Sequence, residues 1–351
     1  MNVLVIGKDY VDGFAALIRD ELRRMGHEVS LLDPSPRATA RTGRLGRGWE
    51  QAKALGWNTF ERTGPGARWR ERRIAAAIER AGAVDLTLCC YDFLPPDSVR
   101  QIKQLTGAPV VLWFPDAISS FGRHMFLNAG YDLLFFKDPY IVSALRRTLP
   151  DRFRYLPECF SEAGLPDIEL TDADRARYGC DIATAGNLYA YRISFFEQLS
   201  DYDVKIWGNR APSWAEVEQV QAMLQNAYVT GEEKVKAFRG ARIVLNNLHP
   251  AEVWGINARA FEIAGAGGFQ MIDRRAGLSQ LFKPGEEIVA FDDRDDLRGK
   301  IRRYLPAEAE RAEIAAAGRR RALAEHTYRH RLELMLSTVF GNGAGYAMPD
   351  T

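Results

Sequence analysis

The sequence is poor in the features that mark secreted, membrane-spanning and metal-binding proteins. Its four cysteines form no C-x-x-C pair, and the adjacent Cys89 and Cys90 would point to opposite faces of a strand. A disulfide framework or a zinc site is therefore not expected, and a reducing compartment is favoured. The apolar run Val3–Ile6 is too short for a signal peptide, and no stretch approaches the roughly 18 apolar residues of a membrane span. We expect a cytoplasmic protein.

Charge and glycine spacing argue against two further classes. A formal net charge of +1 over 351 residues gives no overall field that would attract nucleic acid, so no specific nucleic-acid partner is expected. Gly7 and Gly13 in the first loop do not form the G-x-G-x-x-G fingerprint of dinucleotide-binding enzymes. With 46% hydrophobic and 26% charged residues, the composition is that of a globular protein, and the length fits two domains.

Apolar runs alternate with helical patterns along most of the chain, which indicates parallel sheets covered by helices. The N-terminal half contains five such runs: Asn2–Ile6, Glu28–Leu32, Val84–Cys90, Val110–Phe114 and Leu133–Phe136. A second series comprises Cys180–Ala185, Val204–Trp207, Ala241–Asn246 and Phe269–Ile272. We therefore predict an α/β fold with two doubly wound Rossmann-like domains, over residues 1–160 and 161–325. A crossover helix and tail, residues 326–351, should pack back on the first domain.

One segment departs from this pattern. Residues 37–73 are rich in arginine and poor in acidic residues, and Trp49, Trp57 and Trp69 are interleaved among the charges. Such a segment can contact an anionic polymer or lipid headgroups. We expect an acceptor-side surface or a peripheral membrane contact here. The alternative is a solvated insertion whose tryptophans pack on the domain.

The stretch with the clearest chemistry is 245–268, which we interpret as a strand, a loop and a helix that begins near Asn257. Free N–H groups at Asn257 and Ala258, together with the helix dipole, favour a phosphate or diphosphate. Arg259 lies in the first turn, where its guanidinium can pair with phosphate oxygens. Glu262 lies one turn further on and can accept two hydroxyl hydrogen bonds, as a ribose requires. The alternative is that Arg259 and Glu262 form only an i,i+3 surface pair.

This stretch and the residues after it resemble the CgeB-type glycosyltransferases, relatives of the glycosyl transferases group 1 superfamily with the GT-B fold. The resemblance is strong over residues 180–335 and rests on Asn257-Ala-Arg-Ala-Phe-Glu262, Gly267-Gly-Phe269, Leu278–Phe282, Pro284-Gly285, Glu287-Ile288, His326-Thr-Tyr328 and Arg331. It implies that the C-terminal domain binds a nucleoside-diphosphate sugar and the N-terminal domain binds the acceptor. Transfer in the cleft between them would need no bound metal or other cofactor.

The resemblance also implies donor-site residues. The superfamily carries two glutamates separated by seven residues, the first on the donor sugar and the second on the ribose. Glu262 matches the second, whereas the first falls on Trp254, with Glu252 as a substitute if the loop is longer. Arg192 is the nearest cation for the diphosphate, and Lys205 is a poorer candidate. The remaining predicted donor-site residues are Gly186, Asn187, Gly208 and His249.

Two residues of the N-terminal half are candidates for catalysis. Asp116 follows the strand Val110–Phe114 and can act as the general base that an inverting enzyme needs, with a helix N-cap as the alternative. His124 can contact sugar or phosphate, with a structural role as the alternative, as for His249. The acidic run Asp292–Asp296 lies between a strand and a helix, so we interpret it as a helix start and not as a metal site.

The predicted function is transfer of a hexosyl or related sugar from a nucleoside-diphosphate sugar to a hydroxyl group. The acceptor is a glycan, a lipid, a protein or a small molecule. A non-catalytic nucleotide-sugar-binding protein of a surface-assembly complex is one alternative, which the missing glutamate at Trp254 keeps open. A GT-B sugar-nucleotide epimerase is another, although no second set of catalytic carboxylate and histidine can be placed.

Overall fold

The computed structural model of the protein describes residues 1–34, 60, 63–122, 124–341, 343 and 345–349. The chain divides into two compact units. Unit 1 consists of Met1–Phe136, Leu145–Arg154 and Leu336–Ala344, and unit 2 consists of Lys137–Ala144, Tyr155–Met335 and Gly345–Thr351. Most of the basic segment 37–73, including Trp49 and Trp57, lies outside the described residues, so its expected membrane or acceptor contact stays a prediction.

The first sheet is parallel and is built from the N-terminal part of the chain. Its strands are β1 (Asn2–Ile6), β2 (Glu28–Leu32), β3 (Leu86–Cys90), β4 (Val110–Phe114), β5 (Leu133–Phe136) and β6 (Phe153–Tyr155). They lie in the order β2-β1-β3-β4-β5-β6. The α-helices described in this part are α1 (Phe14–Arg24), α2 (Gly64–Ala81), α3 (Pro96–Thr106) and α4 (Pro139–Arg146).

The second sheet is also parallel and lies in unit 2. Its strands are β7 (Cys180–Ala185), β8 (Val204–Trp207), β9 (Ala241–Asn246), β10 (Gln270–Asp273) and β11 (Val289–Phe291), in the order β11-β10-β9-β7-β8. The α-helices from here to the C-terminus are α5 (Asp172–Tyr178), α6 (Ala190–Glu197), α7 (Gly231–Gly240), α8 (Ala258–Ala266), α9 (Leu278–Leu281), α10 (Arg294–Tyr304), α11 (Glu308–Glu325) and α12 (Tyr328–Phe340).

Both faces of the second sheet are buried, which explains its continuous apolar strands. On β9, Ile243 and Leu245 pack into one hydrophobic cluster, whereas Val244 packs into the cluster on the other face. This alternation is expected of a strand that is covered by helices on both sides. Two doubly wound parallel sheets therefore confirm the predicted α/β architecture.

Most predicted strand bounds agree with the structure, and the differences are small. β3 begins at Leu86 instead of Val84, and β10 covers Gln270–Asp273 instead of residues 269–272. The three-residue strand β6 was not among the predicted strands, because so short a run has no recognisable period. In the described ranges, no helix combines the length and apolarity needed to cross a membrane.

Candidate functional site

The second sheet changes direction between β7 and β9, where open parallel sheets bind ligands. From β7 the chain passes through α6 to β8 on one side, and it then crosses back to β9 on the other side. In open parallel sheets, the loops that leave two such strands diverge, so a ligand crevice is expected at the carboxyl ends of β7 and β9. Gly186 and Asn187 follow β7, whereas Asn246 ends β9 and Asn247 follows it. These strands and the residues that follow them all belong to unit 2.

Glycine is required at two strand ends beside this crevice. Gly186 has a φ of 121°, and a Cβ atom there would clash with the guanidinium of Arg259. A Cβ atom on Gly208, directly after β8, would clash with the carbonyl oxygen of Gly186. Both residues thus allow close approach of neighbouring groups, which is a common reason for glycine at a strand end.

Arg192 lies near the start of α6 and is completely buried. Its guanidinium donates hydrogen bonds to the Asn247 side-chain oxygen (3.1 Å), the Asn187 carbonyl (2.9 Å) and the hydroxyl of Thr184. All three acceptors are uncharged. Burial, and then the neighbouring charge of Arg259, hold the pKa of Arg192 well below its usual value. Among the residues that the structure describes, no anion pairs with this buried cation.

The guanidinium of Arg259 lies beside that of Arg192. Arg259 is half-buried in the first turn of α8, its Nη1 donates to Asn246 Oδ1 at 3.3 Å, and both guanidinium groups approach Gly186. Burial lowers the pKa of Arg259, while the charges of Tyr189, Glu262 and Glu252 act in the opposite direction. Among the described residues, no carboxylate pairs with either arginine. Lys205, the poorer candidate, instead donates to the carbonyl of Arg177 at 2.7 Å.

Further hydrogen-bond donors lie near the two arginines. Asn257 is the N-cap of α8, because its Oδ1 accepts from the amide of Ala260 at 3.2 Å. Ala258 is the first residue of the helix, and the N–H groups of such first-turn residues have no acceptor within the helix. The Nδ2 group of Asn247 is buried and has no acceptor among the described residues. A site composed of guanidinium, amide and helix N–H donors is suited to bind an anion.

Glu262 lies on α8 one turn after Arg259, but it does not pair with that arginine. Its Oε1 instead accepts a hydrogen bond at 2.8 Å from the ammonium of Lys234 on α7, and the carboxylate is about one quarter exposed (25%). The i,i+3 surface pair is therefore wrong, because a cation from a neighbouring helix binds the carboxylate. Lys234 could not be identified from the sequence, since no local pattern connects positions that are 28 residues apart.

The loop before α8 contains a buried ion pair. Lys137 Nζ donates to Glu252 Oε1 at 2.7 Å, and the two side chains are 3% and 6% exposed. Asp138 accepts from the amides of Val253 (2.8 Å) and Trp254 (3.2 Å), which fixes this loop. The second oxygen of Glu252, Oε2, is buried and has no hydrogen-bond partner in the described part of the chain. A buried carboxylate oxygen without a donor is a candidate acceptor for a ligand hydroxyl.

His249 shapes the same loop. Its Nδ1 accepts a hydrogen bond from the amide of Ala251 at 3.1 Å, and its ring packs edge-on against Tyr189 with centroids 5.1 Å apart. These contacts give the histidine a structural role. Its contact with sugar or phosphate stays a prediction.

The two predicted catalytic residues lie in unit 1. Asp116 is exposed after β4, and Ala117 is the residue that precedes the short 3-10 helix, so the N-cap alternative for Asp116 is wrong. His124 is exposed, has a φ of 53° and packs edge-on against Phe121, with ring centroids 5.8 Å apart. Their catalytic roles stay predictions.

The acidic run after β11 begins a helix, as predicted. Asp293 accepts from the amides of Asp295 and Asp296 and so caps α10. Asp292 pairs with Arg274 at 2.6 Å. Among the residues that the structure describes, no cluster of three or more His, Cys, Asp or Glu side chains is arranged to hold a metal ion.

Comparison with known proteins finds a family match over the part of the chain that contains Arg192, Arg259 and Glu262. Residues 192–337 match the model of a family described as glycosyl transferase-like. No curated protein sequence is significantly similar to the chain.

Several solved structures share the fold at low sequence identity. The sucrose-phosphate synthase of Thermosynechococcus elongatus is 14% identical with a TM-score of 0.64, over 96% of this chain and 97% of that one. The Anabaena protein HepE, solved with UDP and glucose, is 12% identical with a TM-score of 0.60, over 96% and 99%. A UDP-forming trehalose-phosphate synthase from Burkholderia xenovorans is 13% identical with a TM-score of 0.60, over 99% and 100%. The chain thus has the GT-B fold and, over residues 192–337, matches a glycosyltransferase-like family.

Proposed function

We propose that the protein is a glycosyltransferase whose unit 2 binds a nucleoside-diphosphate sugar. The observation that carries this proposal is the meeting of Arg192 and Arg259 at Gly186, with no carboxylate paired to either among the described residues. A buried guanidinium next to a half-buried one of the same charge is unfavourable when no carboxylate pairs with either. A diphosphate supplies that counter-charge and can accept hydrogen bonds from both guanidinium groups and from the start of α8.

Two carboxylates define the orientation in which the nucleotide sugar would bind. Glu262 and Glu252 both act electrostatically on Arg259, and each uses one oxygen to bind a lysine. A nucleotide sugar carries its diphosphate between two rings that bear hydroxyl groups. We assign the ribose to Glu262 and the transferred sugar to Glu252, which takes the place of the glutamate that the superfamily would have at Trp254.

The reaction breaks the bond between the sugar C1 atom and the diphosphate oxygen and forms a bond from C1 to the acceptor oxygen. The proton of the acceptor hydroxyl passes to a general base, for which Asp116 is our candidate, with His124 as a contact to the reacting groups. Arg192 and Arg259 stabilise the charge that develops on the leaving diphosphate, so this assignment needs no metal ion. A glycan, lipid, protein or small molecule supplies the acceptor hydroxyl.

Two finer assignments follow from resemblance. The CgeB-type subgroup is supported by the motif residues at 257–269, whereas the family match over 192–337 supports the broader glycosyltransferase assignment. A uridine nucleotide is the first donor to test, because the similar HepE structures contain UDP or UDP-glucose.

A non-catalytic nucleotide-sugar-binding protein is the second candidate. It is favoured by Trp254, which stands where the superfamily has its sugar-binding glutamate and packs edge-on against Tyr140 at 5.2 Å. Slow hydrolysis of a bound nucleotide sugar in the absence of acceptor supports the transferase, because a non-catalytic protein would leave the bond intact.

A thermal-shift screen tests the donor site. We expect one of UDP-, GDP- or dTDP-sugars to raise the melting temperature, because a ligand at 100 times its Kd adds about 2.7 kcal/mol to the free energy of unfolding. Glu262→Ala should abolish this shift. Glu313→Ala is the matched control, since Glu313 is exposed on α11, and it should preserve the shift. No shift with any of these donors would overturn the proposed site.

A further inference from the structure

The ion pair between Lys234 and Glu262 joins two helices beside the donor site. Lys234 lies on α7, which packs against α8, and its side chain is only 9% exposed. The adjacent positions Val235, Ala237 and Phe238 are buried in the hydrophobic cluster between helix and sheet. A lysine on such a face is unusual unless it is paired, because burial of an ammonium group is unfavourable without a partner.

The pair has a geometry that orders one carboxylate oxygen and leaves the other available. Lys234 Nζ lies 2.8 Å from Oε1 of Glu262, and no described residue donates to Oε2. The carboxylate is therefore fixed by one strong charged hydrogen bond and can offer its remaining lone pairs to hydroxyl groups. A free glutamate side chain on a helix would instead sample several rotamers, and ordering it on binding would reduce affinity.

We propose that Lys234 is a positioning residue that holds Glu262 in the orientation required to bind the ribose hydroxyls, and that it makes the site selective for ribonucleotides over 2′-deoxyribonucleotides. This inference rests on the proposed function and deepens it. It names the substrate class as ribonucleoside-diphosphate sugars. Lys234 acts only by orienting Glu262 and does not contact the ligand itself.

The ratio of affinities for a ribonucleotide and its 2′-deoxy counterpart measures this role directly. The full-length protein would be titrated by calorimetry with UDP and 2′-deoxy-UDP, GDP and 2′-deoxy-GDP, and ADP and 2′-deoxy-ADP. For the base that binds most tightly, we expect the ribonucleotide to bind about tenfold more tightly, since one hydrogen bond to a charged group is lost in the deoxy form. Lys234→Met should bring this ratio close to one.

Two further variants separate positioning from a purely structural contact. Lys236→Met is the matched control, because Lys236 lies on the same helix and pairs with Asp174 and Glu232 away from Glu262. It should keep the wild-type ratio. In a Glu262→Gln background, Lys234→Met should change the ratio no further, since a residue that acts through Glu262 has no effect once that carboxylate is absent.

The outcomes distinguish this inference from the function on which it rests. Equal binding of both nucleotide forms to the wild type would overturn the inference and leave the donor site in place. If Lys234→Met weakened binding of the ribonucleotide and of its 2′-deoxy counterpart equally, the inference would also be overturned. A contact that only holds α7 against α8 would affect both affinities alike. Failure of every nucleoside diphosphate to bind would overturn the proposed function as well.

Discussion

Replacing Arg259 with methionine should weaken binding of the donor nucleotide by about 100-fold, because truncation of one partner in a buried charged contact costs several kcal/mol. The same change should leave the melting temperature of the ligand-free protein unchanged or higher. Arg259 donates a single described hydrogen bond, to Asn246, and its charge disfavours the buried Arg192. Loss of binding combined with unimpaired stability is the signature of a residue that serves the ligand and not the fold.

Arg242→Met is the control for this variant. Arg242 lies on β9 in the same unit, is 59% exposed and pairs with Asp181 at 3.0 Å. We expect calorimetric titration to give the wild-type Kd for Arg242→Met and a much larger one for Arg259→Met. A wild-type Kd in the Arg259 variant would show that the diphosphate binds elsewhere.

The second large effect is expected at Glu252, whose substitution should weaken binding of the sugar moiety without weakening binding of the nucleotide. Glu252→Gln should leave the Kd for the nucleoside diphosphate within about twofold of wild type and weaken binding of the intact nucleotide sugar about tenfold. The reason is that Glu252 Oε2 is the buried acceptor that we assign to a sugar hydroxyl. Acceptor-independent hydrolysis of the donor should fall at least as much as the affinity does.

Glu252 also neutralises Lys137, so this variant needs a control for stability. Glutamine removes the negative charge that Glu252 places beside the buried ammonium of Lys137, and breaking a buried ion pair is destabilising by about 3–5 kcal/mol. The double variant Lys137→Met with Glu252→Gln removes both charges and should recover much of the melting temperature without recovering the preference for the sugar. Equal weakening of nucleotide and nucleotide-sugar binding would show that Glu252 contributes only to the fold.

The fold was predictable because its signals are local. The runs Asn2–Ile6 and Val110–Phe114 are buried on both faces, so their apolar character marks the strands without an alternating period. The helix α8 begins after Asn257 and ends at Gly267, since an asparagine caps its first turn and a glycine adopts the left-handed conformation at its end. Such signals act within a few residues of each other.

The site was only partly predictable, because its ion pairs join residues that lie far apart in the sequence. Arg192, Arg259 and Glu262 were identified from motif and resemblance, but their partners were not. Lys234 lies 28 residues from Glu262, and Lys137 lies 115 residues from Glu252. Sequence spacing suggested a pair between Arg259 and Glu262, yet the approach of α7 decides which cation the carboxylate binds. Tertiary contacts of this kind leave no periodic signal in a single sequence.

Hydrogen–deuterium exchange of the full-length protein, with and without the best-binding nucleoside diphosphate, tests the central claim most directly. The claim is that the diphosphate lies between the end of β7 and the start of α8, against Arg192 and Arg259. We predict slower exchange in the peptides that contain residues 187–192 and 257–262, because ligand contacts suppress local opening there. Slower exchange confined to unit 1, or unchanged exchange in both peptides at a saturating nucleotide concentration, would contradict the account.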